Sequence, residues 1–337
     1  MKIYNRTIDS SNDLEGLNHL LEESQFSVKA IAEGAIHMVA TSFYPSTQEA
    51  ASTLQTRLER AGYTEFSVQF SSDGVISLVD GRALEEELNS WVASEGGRAD
   101  EAAQRIRDAF YTGSRELSLM FLDLRTLPSS LKMLQNLTTL YLGNNHLEIL
   151  EVPDLRNLQE LWIEQNHLTS CVIPGTLAEL RTLIMFANPL ETLSLPDTLT
   201  NLRGIFLSGT ELHALSIPDT LVNLEELLLF NNHLNELSIP ATLIKLRILS
   251  VSGNNLTVLS ITSPLPNLRE LNLERNLQLD TLPPILDQCI ELRELDVNDT
   301  AIPLAERDRI LTACHLARRE ALLIKEPEDK KRRAAGG

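Results

Sequence analysis

His146, His167 and His233 fall at one place in a recurring pattern, directly after an asparagine, so successive copies would bring imidazoles close together. Paired imidazoles begin a zinc site, but such a site needs three or four converging ligands. No carboxylate stands at ligand spacing, and the same place accepts Pro189, Glu211 and Asn255, as a solvated turn does. Cys314 beside His315 has the residue types of a nucleophile and its base. Neighbours on a helix point about 100° apart, however, and would not face each other. Cys171 stands where other copies carry Leu150 and Leu193, and Cys289 where they carry Leu199 and Leu221, so these thiols read as small core side chains. No C-x-x-C pair, glycine-rich phosphate loop, G-x-S-x-G or H-E-x-x-H occurs. No catalytic residue, metal or cofactor is expected.

The pattern that places the histidines is L-x-x-L-x-L-x-x-N-x-L. It starts at Leu137 and returns from Leu158, Leu180, Leu202, Leu224, Leu246, Leu268 and Leu292, mostly at 22-residue spacing, with Thr210 and Thr300 replacing the asparagine. An earlier copy without it runs from Leu117 to Leu127, making nine. Each L-x-L is a short strand whose leucines point inward, and a unit can bury that face only against its neighbours. The predicted fold is therefore an α/β leucine-rich-repeat solenoid with a parallel concave sheet and helical caps. Segments such as Leu215-Ser216-Ile217-Pro218 bring the chain back extended.

Residues 1–95 read as a small α+β domain, in the order α-ββ-α-ββ-α. A first helix carries Leu14, Leu17, Leu20 and Leu21. Hairpins surround Glu33-Gly34 and Asp73-Gly74, and Ser46 with Glu49 forms a capping box ahead of a second helix. Residues 96–113 form an amphipathic cap helix with Ala102, Ala103, Ile106 and Phe110 on one face. The solenoid is expected over 114–302, a C-terminal cap helix over 303–325, and a charged flexible tail over 326–337.

The run from Leu88-Asn89-Ser90-Trp91 through Arg98-Ala99-Asp100-Glu101 to Asp108-Ala109-Phe110, then Arg115-Glu116-Leu117-Ser118-Leu119 and Leu124-Arg125-Thr126-Leu127-Pro128, resembles the cap and first repeat of leucine-rich-repeat effectors of bacterial type III secretion. Some members of that family carry a C-terminal novel E3 ubiquitin ligase domain. The resemblance covers roughly residues 88–305. Two features depart from it. The repeats are longer and carry Ser-Ile-Pro-Asp-Thr-Leu elements, and neither Cys289-Ile290-Glu291 nor Cys314-His315-Leu316 matches the C-x-D of the ligase. The resemblance thus implies a recognition module lacking the ligase domain, made in the bacterial cytoplasm and delivered to a host cell.

With leucines inward at the first, fourth and sixth positions, the fifth projects from each strand into the concavity. It reads Tyr141, Trp162, Ile184, Phe206 and Leu228 in consecutive copies, and Phe186 and Phe230 at the seventh position widen the column. Solvent-facing positions have no packing reason to be apolar, so such a column marks an interaction site. Glu160, Glu164 and Glu226 flank it. The expected partner is a host protein with an apolar and basic surface.

The 337 residues carry a formal net charge of -18. That balance disfavours nucleic acid, whose recognition needs a basic footprint, and anionic membrane surfaces. Lys330-Lys331-Arg332-Arg333 is a candidate nuclear-targeting patch. The main expectation is a non-enzymatic, protein-binding bacterial effector. The alternatives are a catalytic activity within residues 1–95 and an endogenous bacterial scaffold. The sequence leaves the oligomeric state open.

Overall fold

The computed structural model describes residues 26–32, 35–40, 47–60, 66–70 and 76–335. The chain divides into two compact units, Met1–Leu147 with Pro153–Leu161, and Glu148–Val152 with Trp162–Gly337.

In the first unit, strands β1 (Phe26–Ala32), β2 (Ala35–Ala40), β3 (Phe66–Phe70) and β4 (Ile76–Asp80) form an antiparallel sheet in the order β1-β2-β4-β3. Ala32 pairs with Ala35 and Phe70 with Ile76, while the expected turns at Glu33-Gly34 and Asp73-Gly74 lie outside the described residues. Helices α1 (Thr47–Arg60), α2 (Arg82–Glu95) and α3 (Ala99–Thr112) follow the sequence reading. The helix expected over Leu14–Leu21 lies outside the described residues.

Helix α3 buries Ala99, Ala102, Ala103, Ile106, Ala109 and Phe110. It stops at Gly113, whose φ of 63° suits a residue without a Cβ and whose N–H returns to the Ala109 and Phe110 carbonyls. Polar bonds tie the small sheet and α2 to the start of the solenoid. Asn136 Nδ2 donates to the Val68 carbonyl at 3.2 Å, and Trp91 Nε1 to Thr126 Oγ1 at 3.0 Å. The Ser129 N–H donates to Glu87 at 2.8 Å. Strands β5 (Glu116–Ser118) and β6 (Thr139–Tyr141) run parallel with Leu117 opposite Leu140, both buried.

In chain order come β7 (Ile149–Glu151), β8 (Glu160–Trp162), β9 (Ser170–Val172), β10 (Thr182–Ile184), β11 (Gly204–Phe206), β12 (Glu226–Leu228), β13 (Glu236–Ile239), β14 (Ile248–Ser250), β15 (Val258–Ile261), β16 (Glu270–Asn272) and β17 (Glu294–Asp296). In the second unit β10, β11, β12, β14, β16 and β17 pair in that order, all parallel and without a register shift. The register follows the L-x-L positions and not the repeat length, since β16 and β17 keep it across a 24-residue step where the others take 22. The return segments also pair, β7 with β9 and β13 with β15, with Leu150 opposite Cys171 as their shared position predicts.

Two further features hold the repeats. Each asparagine bonds backbone on both sides: Asn232 Nδ2 donates to the Leu207 and Leu229 carbonyls at 2.9 Å each, while Oδ1 accepts the Leu212 N–H at 3.1 Å. Asn188 and Asn254 repeat the arrangement. Buried carbonyls and N–H groups that the short strands leave unpaired are thereby satisfied. The residue before the asparagine is left-handed in copy after copy, at Gln165, Ala187, Gly209, Asn231, Gly253 and Arg275, with φ between 53° and 64°.

The last helix, α4 (Leu304–Ala335), corrects the sequence reading. It continues past 325 through the stretch expected as a flexible tail, so Lys330-Lys331-Arg332-Arg333 lie on helical backbone. No helix among the described residues is long and apolar enough to cross a membrane.

Candidate protein-binding face

Strand alternation in the second unit separates core from face. Leu183, Met185, Ile205, Leu207, Leu227 and Leu229 are fully buried. Between them Ile184 pairs with Phe206, Phe206 with Leu228, and Leu228 with Ser250 on the opposite face. Trp162 precedes Ile184 in this column, since the Ile163 N–H donates to the Ile184 carbonyl at 2.7 Å and Gln165 to Phe186 at 3.0 Å. From Trp162 to Leu228 the column spans three strand spacings, roughly 14 Å at ~4.8 Å each. Tyr141 belongs to the first unit, where burial raises its phenol pKa, helped by the charges of Glu116 and Glu160.

The side chains are less open than a solvent-facing column implies. Trp162, Phe206 and Leu228 are half-buried, Phe186 and Phe230 are 37% exposed, and Ile184 retains only 7%. Ile184 is the exception to the expected exposure because it is a short branched side chain set between the larger Trp162 and Phe206 positions. Phe206 lies down on its own strand. A Cβ on Gly204 would meet its ring at 2.6 Å, so the glycine at the third position makes the room. Glu160 and Glu226 are half-buried.

Glu164 departs most from expectation. Its place in the sequence implies a flanking surface acid, yet it is 5% exposed, and its Oε2 has no hydrogen-bond partner. Burial raises its carboxyl pKa, opposed by its own backbone N–H. Backbone pairing fixes where the residue stands. The bonds from Ile163 and Gln165 set Glu164 alongside Phe186, and the Asn166 side chain fixes the Glu164 carbonyl at 3.3 Å.

Arg181, Arg203, Arg247, Arg269 and Arg293 share the second position, just before their strands. Arg203 and Arg247 lie 3.8 and 3.6 Å from Glu225, which interrupts the row. These pairs are partly exposed and hold the strand edge only weakly.

The candidate chemical groups of the sequence come out as packing or turn residues. Burial pushes the Cys171 thiol up to about 12 and that of Cys314 to about 11, away from nucleophilic thiolate. Cys314 Sγ donates to the Leu286 carbonyl at 3.2 Å, closing α4 against the last repeats, while His315 is exposed. The His213 and His233 rings lie 5.3 Å apart between centroids, tilted by 43°, and His146 faces Asp123 at 3.9 Å. Among the described residues no three or more His, Cys, Asp or Glu converge as a metal site.

The solenoid is a leucine-rich-repeat fold. A family model described as Leucine Rich Repeat matches residues 136–158. No curated protein matches the chain. Among solved structures it is similar to YopM from Yersinia enterocolitica WA-314, at 27% identity and a TM-score of 0.53, over 65% of this chain and 46% of that one. It also matches a Shigella effector leucine-rich-repeat domain, at 24% identity and a TM-score of 0.49, over 68% of this chain and 91% of that one. YopM of Yersinia pestis, described as a leucine-rich effector protein, aligns at 23% identity with a TM-score of 0.45, over 65% of this chain and 71% of that one. The chain thus spans about half (46%) of the length of the Yersinia enterocolitica protein.

Proposed function

We propose that the chain is a non-enzymatic, protein-binding effector of bacterial origin, delivered into a host cell, where the open face of its parallel sheet captures a host protein. The observation that carries this reading is the column Trp162, Ile184, Phe206 and Leu228, with Phe186 and Phe230 beside it. Trp162, Phe206 and Leu228 stand half-buried on the face opposite the leucine core, with Phe186 and Phe230 more exposed, and only Ile184 between them is packed away. Leucine-rich-repeat scaffolds are binding platforms, because stacked strands present one side chain per repeat in a fixed row. The effector part rests on the likeness to YopM and on the cap and first-repeat residues from Leu88 to Pro128.

The test separates binding from folding. Trp162→Ala and Phe206→Ala remove contact area at the centre of the face and should weaken capture of a host protein by roughly 2 kcal/mol or more. Their thermal melts should change little. Leu183→Ala removes a fully buried side chain and should cost about 2–5 kcal/mol of stability. A Trp162→Ala chain that melts as early as Leu183→Ala would make Trp162 a core residue and sink the reading.

A further inference from the structure

The buried carboxylate of Glu164 lies within the apolar part of the face. Its strand neighbours there are Trp162, two residues earlier on the same face, and Phe186, alongside on the next strand. It is 5% exposed and Oε2 has no partner. Natural folds rarely leave a buried polar atom unsatisfied, because the group keeps its full desolvation cost. A carboxylate is an acceptor only, so what completes it must donate, and a cation does so most strongly.

We infer that Glu164, with Trp162 and Phe186 as its strand neighbours, is a receptor for an arginine side chain presented by an apolar segment of the protein partner. This rests on the binding-face reading above and names the chemistry that the face selects. A guanidinium fits better than an ammonium. It is planar and weakly hydrated, stacks on an aromatic face such as that of Trp162, and offers parallel N–H donors to a carboxylate. Its methylene stem covers apolar surface. The chain's net charge of -18 favours the approach of a basic segment. The arginine row does not oppose it locally. Arg181 stands at the second position and Phe186 at the seventh, about 16 Å along the strand, beyond the ~8 Å screening length at physiological salt.

The probe is a blocked pentapeptide, Ala-Leu-Arg-Leu-Ala, compared with its citrulline twin, which keeps the shape and loses the charge. Both are titrated into the full chain and into Glu164→Gln, with binding followed by NMR and folding by circular dichroism. The expected result is at least tenfold tighter binding of the arginine peptide to the wild-type chain, a preference lost in Glu164→Gln while the fold survives. Trp162→Ala should weaken the arginine peptide and keep its preference over citrulline. Equal binding of the two peptides, or a preference that persists in Glu164→Gln, overturns the inference. So does a Glu164→Gln chain that fails to fold, since the carboxylate is then needed within the fold. Self-association of the wild-type chain that Glu164→Gln abolishes assigns the site to a second copy and overturns it as well. Host-protein capture that depends on Trp162 and Phe206 but not on Glu164 leaves the binding-face reading standing and removes only this inference.

Discussion

Glu164 makes the face unusual at the scale of one residue, because its burial opposes folding instead of assisting it. The carboxyl pKa is raised above its ordinary 4.5, so the folded chain holds this proton more tightly than the unfolded chain does. The contribution to stability is therefore full below the unfolded pKa and lost as pH rises through the folded one. At neutral pH the group carries a desolvation cost that a neutral amide of the same shape largely avoids. Glu164→Gln should then be more stable than the wild type at pH 7, by about 1–2 kcal/mol. The difference should shrink to nothing below about pH 4, where both are neutral. Thermal melts across this range check it, and a variant that melts lower at every pH would mean that the carboxylate is bonded in the fold.

The repeat element is where sequence and structure agree most closely, because one short pattern specifies both the core and the turn. Leu183, Met185, Asn188 and Leu190 each sit where the L-x-L-x-x-N-x-L register puts them, buried, with the asparagine bonding backbone on both sides. Asn254→Ala should cost about 1–3 kcal/mol, since it leaves the Leu234 N–H without its acceptor in the core and removes one of the two asparagine donors from each of the Leu229 and Val251 carbonyls, which keep those of Asn232 and Asn276. Amide exchange should rise first at Leu234. If its protection is unchanged, water substitutes for the side chain and the ladder is weaker than its geometry implies. What the pattern hid has a physical reason. Period-two alternation says which way a side chain points but not how far neighbours cover it, so Ile184 and Glu164 were legible as face residues and not as buried ones. The left-handed turn was hidden too, because only Gly209 and Gly253 mark it with glycine, while Gln165, Ala187 and Arg275 adopt the same φ. The extension of α4 lay beyond the repeat, where leucine spacing no longer guides the reading.

For the whole molecule, the stability of a stacked solenoid is a sum of repeat and nearest-neighbour contributions, so a loss at one end is felt locally. The first unit shows where that matters. The small sheet and α2 are joined to the earliest repeats by Asn136 with Val68, Trp91 with Thr126, and Glu87 with Ser129, and Phe110 of the cap is fully packed. Deleting residues 1–95 is therefore more than the removal of an appendage with its own activity. It takes away bonding partners of the first repeat and bares apolar surface on α3. The expected outcome is fast amide exchange in β5 and β6, with protection retained in β10, β11, β12, β14, β16 and β17. Because the proposed column from Trp162 to Leu228 lies in the second unit, capture of the host protein should persist in the deleted chain. Hydrogen exchange and capture measured on the same sample decide the matter. Capture lost while those second-unit strands stay protected would place essential contacts in the first unit, and the assignment of binding to the column alone would fall.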